Sequence, residues 1–178
     1  MEKYDEVLKT YLLNKTLNDI EFYDSDLNYV SPDMDHTWIL DGGIQLKLDN
    51  TYFSFAFSSE QEFFNAFSLK IDELNNEFEL HSLGARDVNE INTLVGHQII
   101  DIKTLWNFYT ELDENFDEKN EKKYMPFEII LYFSNNSFLQ IAAIEYEMEN
   151  NKLINLHYNS ERELLISINK KLEIENIE

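Results

Sequence analysis

The chain contains no cysteine. That excludes disulfides, thiolate metal sites and a cysteine nucleophile, and it fits a reducing compartment. Glycine is nearly as scarce, with four in 178 residues. They form no G-x-G-x-x-G, P-loop or G-x-S-x-G pattern, so the backbone cradles that hold phosphates or seat a serine nucleophile are missing. Long apolar runs are missing too: no stretch approaches the roughly 18 residues that a membrane-spanning helix needs. The opening Met1-Glu2-Lys3-Tyr4-Asp5-Glu6 has neither a basic n-region nor an apolar h-region. It argues against a secretory signal, and a cytoplasmic location is the expectation. The last shortage is of bases. Fourteen Lys and Arg stand against 35 Asp and Glu, a formal charge of −21. An anionic membrane surface or bare nucleic acid would repel such a chain, so neither is an expected partner.

What remains is enough to fold. Hydrophobic residues make up 43% and aromatics 14%, more than an acidic disordered tail carries. A chain of this length buries about 70% of its unfolded surface as one domain, so a single domain over 1–178 is expected. Like charge in excess destabilises a compact state by self-repulsion. Its retention points to a use, and attraction of a basic partner is the direct one.

Tyr4, Val7, Leu8, Tyr11 and Leu12 recur at helical spacing and predict an amphipathic helix. Leu17, Ile20 and Phe22 suggest a strand, followed by a polar connection over 24–36. Trp38-Ile39-Leu40 meets an Asp41-Gly42-Gly43 turn signal. Ile44, Leu46 and Leu48 then alternate into Asp49-Asn50 and on through Phe53, Phe55 and Phe57, which predicts a hairpin. Ser59-Glu60-Gln61-Glu62 has capping-box spacing ahead of Phe63, Phe64 and Phe67 and predicts a helix. A short helix over 87–94 should stop at Gly96. A strand over 99–106, a second acidic connection over 107–124, a second hairpin turning at Asn135-Asn136, and strands near 153–156 and 164–168 complete the chain. The fold class is therefore α+β, an antiparallel, hairpin-rich single domain.

The halves follow one script. Leu17-Asn18-Asp19-Ile20 matches Ile99-Ile100-Asp101-Ile102 at a shift of 82, and Ile44 to Leu48 matches Ile129 to Phe133 at a shift of 85. Two tandem helix-strand-loop-hairpin repeats, 5–57 and 87–143, account for this, with the drift in shift falling in loops. The connections 24–36 and 107–124 would then be equivalent, and long connections in compact domains are commonly functional.

Catalytic and metal patterns do not survive scrutiny. Asp24, Asp26, Asn28 and Asp35 fall at EF-hand positions, but Tyr29 occupies the position that needs glycine and Pro32 interrupts the loop. Glu145, Glu147 and Glu149 alternate with Ile144, Tyr146 and Met148 and read as a solvated strand face. His36, His81, His97 and His157 have no second ligand at metal spacing. No cofactor and no enzymatic activity are expected. The stronger signal is aromatic and acidic residues interleaved. Trp106, Tyr109, Glu111, Asp113, Glu114, Asp117 and Glu118 form one such stretch, and Tyr23, Asp24, Asp26 and Tyr29 belong to another. Aromatic rings supply anchor area, and carboxylates meet Arg and Lys across an interface. Both stretches are expected to bind a partner.

In size, charge, lack of cysteine and patterning, the whole chain resembles the small acidic immunity proteins that bacteria encode beside polymorphic toxins. The resemblance rests on no family motif and carries no residue across. It implies a non-enzymatic inhibitor that binds a basic toxin, often a nuclease, and blocks it directly. A DNA-mimic inhibitor of a nucleic-acid enzyme and a small-ligand or carbohydrate-binding β domain are the alternative readings.

Overall fold

A computed structural model describes residues 2–25, 36–58, 61–74, 80–83, 89–112, 118–150, 152–159 and 163–176. Two antiparallel sheets dominate it. The first has strand order β5-β4-β3-β1-β6, built from β1 (Leu17–Asp24), β3 (Gly42–Leu48), β4 (Thr51–Ser58), β5 (Gln61–Phe67) and β6 (His81–Ser82). The second has order β2-β11-β9-β8-β7, from β2 (Thr37–Leu40), β7 (Ile99–Leu112), β8 (Glu118–Phe133), β9 (Phe138–Glu149) and β11 (Glu163–Ile168). A further strand, β10 (Lys152–Tyr158), pairs with the far half of β9. Among the described residues the helices are α1 (Glu2–Leu12), the single turn α2 (Asn89–Asn92) and a short 3-10 turn at Ile71–Glu73. The molecule is thus mainly β, and α+β describes it only loosely.

The alternation read from sequence sets which residues meet between the sheets. Ile20, Phe22, Ile44, Leu46, Phe53 and Phe55 of the first sheet share one buried cluster with Ile129, Leu131, Leu139, Ile141, Leu164 and Ile166 of the second. Leu8 and Leu12 of α1 and Ile91 of α2 join this cluster, which is why α1 carries an apolar stripe. The second sheet is covered on its other face as well. Ala142, Ile144 and Leu165 pack there with Leu156, Tyr158 and Leu172, the last from a segment after β11 that folds back across the sheet. Burial on both faces explains why β11 is buried at five of its six positions rather than alternating.

The helix expected to begin at 59 is corrected over the described residues: Gln61–Phe67 forms strand β5, paired with β4 from Ser54 to Ser58. The capping-box spacing is local, whereas the open edge of β4 offers a full ladder of hydrogen bonds, and the ladder prevails. Gly42 and Gly43 are likewise strand residues of β3 and not a turn. A Cβ on Gly42 would collide with the Tyr23 carbonyl oxygen, so glycine is there for close approach. The expected hairpins are present. Asp49 (φ 46°) closes β3–β4 and Asn136 (φ 67°) closes β8–β9, both left-handed positions that suit Asp and Asn.

The two sheets join around Thr16 and Gln98, which bridge each other. The hydrogen bonds on either side of this bridge are reciprocal. Asn14 N donates to Ile99 O and Gly96 N to Leu17 O; Ile99 N donates to Lys15 O and Leu17 N to His97 O. Asn14 and Gly96, 82 positions apart, both have positive φ (62° and 84°). Each half then places a β-bulge one residue into its strand, between Leu17 and Asp19 and between Ile99 and Asp101. In each, the Asp carboxylate accepts the next backbone N–H at 2.9 Å, Ile20 and Ile102 respectively. Beyond this shared frame the halves diverge. After β1 the chain crosses to the second sheet as β2, pairing with β11. After β7 it runs on as one long hairpin with β8.

Candidate functional site

The 107–124 connection, expected as a loop, is for the most part a pair of strands. β8 pairs with β9 only from Glu128 to Tyr132. Beyond that point β8 continues with β7 alone, down to Leu112 opposite Glu118. The result is a two-stranded ribbon that leaves the second sheet. Pro126 helps explain where it leaves: the register shifts between Leu105, opposite Glu128, and Trp106, opposite Pro126. Proline has no N–H for a ladder and is accommodated at bulges.

Three contacts fix the base of the ribbon. Trp106 is part-buried and meets the ring of Tyr4 on α1 edge-on, with centroids 5.4 Å apart. Asn107 Nδ2 donates to Asn176 Oδ1 at 2.7 Å. Met125 and Phe127 are buried in the cluster on the outer face of the second sheet. One step further out, Phe108 and Tyr124 lie opposite each other and pack edge-to-face at 6.2 Å. They are 43% and 57% exposed; Leu105, on the opposite face of the ribbon, is 43% exposed.

The expected partner-binding residues fall into three groups. Trp106 is part-buried against Tyr4, so among the described side chains of the ribbon the open aromatic area belongs to Phe108 and Tyr124. Tyr109 and Glu111 lie on β7 and Glu118 on β8, with their side chains outside the described residues; Asp113, Glu114 and Asp117 lie outside them altogether. In the first-half stretch Tyr23 and Asp24 are buried. Tyr23 donates its hydroxyl to Glu21 Oε2 at 3.1 Å, and Asp24 Oδ2 accepts from Asp41 N at 3.0 Å. Burial first, and the Glu21 charge second, push the Tyr23 phenol well above its ordinary pKa. Asp26 and Tyr29 are outside the described residues. The sequence signal also stopped short. Residues 119–124 return along β8 with Lys119, Lys122 and Lys123, and the register sets Lys123 opposite Tyr109 and Lys122 opposite Thr110. Six acids and three bases therefore lie in 107–124, and the segment is a mixed-charge ribbon with an acidic excess. Tyr124 went unremarked because its significance depends on pairing with Phe108.

The remaining candidates sort as their local chemistry suggests. Glu145, Glu147 and Glu149 are exposed along β9, with Asn155 donating to Glu147 at 2.6 Å and Asn159 to Glu145 at 3.2 Å. The four histidines stand on separate elements, and His36 Nδ1 lies 3.8 Å from Glu90 Oε1. Among the described residues no three His, Asp or Glu side chains come together as a metal site, and no helix is long and apolar enough to cross a membrane. Compared with known proteins, the chain matches no family model, no curated protein and no solved structure.

Proposed function

We propose that this chain is a non-enzymatic acidic binding protein whose β7–β8 ribbon docks on a basic protein, in the manner of an immunity protein that neutralises a cognate toxin. One observation carries the reading: an exposed aromatic pair, Phe108 and Tyr124, on a ribbon that leaves the sheet of a domain with charge −21. Apolar rings at the centre of a contact supply most of the affinity, and long-range charge steers the encounter with a basic surface.

The test separates these two contributions. Neutralising Glu111, Asp113, Glu114, Asp117 and Glu118 together should slow association with a captured basic partner and flatten its salt dependence. Truncating Phe108 and Tyr124 to Ala should speed dissociation about tenfold or more. Wild-type rates and salt slope in both variants would refute the reading.

We infer also that the halves are tandem copies of one helix-strand-hairpin unit. The reciprocal hydrogen bonds, the matched bulges and the paired left-handed caps support this. Superposing 5–57 on 87–143 should align the shared frame and diverge at 25–41 and 107–127. Divergence concentrated inside the hairpins instead would count against it.

A further inference from the structure

The outer face of the first sheet holds an open depression of about 260 Å³. Asp19 and Glu21 line it from β1, Lys47 from β3 and Tyr52 from β4, while Lys70 and Asp72 close it from the segment after β5. Glu21 is occupied internally, accepting from Tyr23 Oη, Gln45 Nε2 and Ser82 Oγ. The other four charges are less committed: one Asp19 oxygen accepts from Ile20 N at 2.9 Å, and the Lys70 ammonium lies over the Tyr52 ring. Among the described residues neither Lys47 nor Lys70, neither Asp19 nor Asp72, forms an ion pair. Lys47 lies directly across from Asp19 on β1 and from Tyr52 on β4, yet no carboxylate comes within 4.0 Å of its ammonium.

The inferred second copy carries a different surface at this position. Its counterparts of Lys47 and Tyr52 are Tyr132 and Phe138, which face each other across β8 and β9 with ring centroids 6.2 Å apart. The Lys103 ammonium lies over the Tyr132 ring at 5.0 Å. There aromatic contact fills the surface, whereas in the first half the same place is open and carries charges of both signs that form no ion pair among the described residues.

We propose that the depression binds a small zwitterion of the amino acid or dipeptide class, its carboxylate held by Lys47 and Lys70 and its ammonium by Asp19 and Asp72. A ligand with one charge would leave the opposite pair unmet. A saccharide would need an open aromatic face, and the Tyr52 face is taken by the Lys70 ammonium 4.6 Å from the ring centre. Charge-assisted hydrogen bonds to both ends of the ligand are the strong kind and set its orientation.

The full chain, titrated by NMR with free alanine and alanylalanine, provides the test, with N-acetylalanine, alanine methyl ester and glucose as comparisons. The two zwitterions should shift backbone amides of β1, β3 and β4, and each singly blocked form should bind about tenfold more weakly. Lys47→Met and Asp72→Asn, both at exposed positions, should weaken zwitterion binding similarly without lowering the melting temperature. Lys47→Met should also leave binding of the methyl ester nearly unchanged, since the ester has no carboxylate to lose. No shift with either zwitterion, equal binding of the blocked forms, or a response to glucose alone would overturn the proposal. Neither substitution touches the ribbon, so this site and the docking surface stand or fall separately.

Discussion

Gln140 is the residue whose loss most directly tests how the second sheet is covered. Its side chain is fully buried on β9 and serves three groups. Nε2 donates to Glu128 Oε1 at 2.7 Å and to Leu172 O at 3.0 Å, and Oε1 accepts from Leu172 N at 2.9 Å. The substitution Gln140→Leu keeps nearly the same volume, so it opens no cavity and isolates the polar loss. Both backbone groups of Leu172 would be left buried without their partner, and Glu128 would retain only the Tyr158 hydroxyl on Oε2, at 2.8 Å. A stranded buried polar group costs about 1–3 kcal/mol. The three share one environment and do not add fully, so the expected loss is about 3–5 kcal/mol. In a chain of this size that lowers the melting temperature by about 6–20 °C. Urea unfolding measures the total, and hydrogen exchange locates it. The Leu172 and Glu175 amides, the latter bonded to Leu156 O at 2.9 Å, should lose protection before the β8–β9 ladder does. A change below about 1 kcal/mol with these amides still protected would show that apolar contacts of Leu172 and Ile174 hold the segment without the clamp.

Three further outcomes are expected. Gly42→Ala should destabilise the protein by about 2 kcal/mol or more, because its Cβ meets the fixed Tyr23 backbone and no flexible side chain can yield; an unchanged urea midpoint would contradict that contact. Tyr4, Tyr23 and Tyr158 have phenol pKa values raised above the ordinary value, chiefly by burial. The folded state holds those protons to higher pH than the unfolded chain, so this stability is intact below about pH 10 and is lost as pH climbs beyond it. Phenolate absorbance should rise in two stages, the later one coinciding with unfolding; ionisation of all ten tyrosines in the folded protein would refute this. Finally, moderate salt should raise the melting temperature by screening self-repulsion at charge −21, and a flat or falling dependence would mean that the acids are already compensated locally.

The sequence by itself determined the local elements whose causes are local. Alternation in 44–57 and 127–146, with Asp49 and Asn136 able to take positive φ, dictates both hairpins. The helical stripe of α1, the Gly96 stop and the matched strand starts at Leu17 and Ile99 were legible for the same reason. Only the tertiary structure decided features that depend on a partner far along the chain. β5 is a strand because the edge of β4 was open to it, and β2 leaves its own half because β11 offers a ladder 126 positions away, Ile39 opposite Leu165. Burial of Tyr23 and Asp24 follows from the Leu80–Ser82 return and the Asp41 amide, which no pattern near residue 24 announces. The candidate site divides along the same line. An acidic aromatic stretch could be read from composition, but which ring stays open could not. That depends on Trp106 finding Tyr4 of α1 while the ladder leaves Phe108 facing Tyr124. A strand pattern specifies two faces, and only packing against the rest of the chain determines which of them meets water.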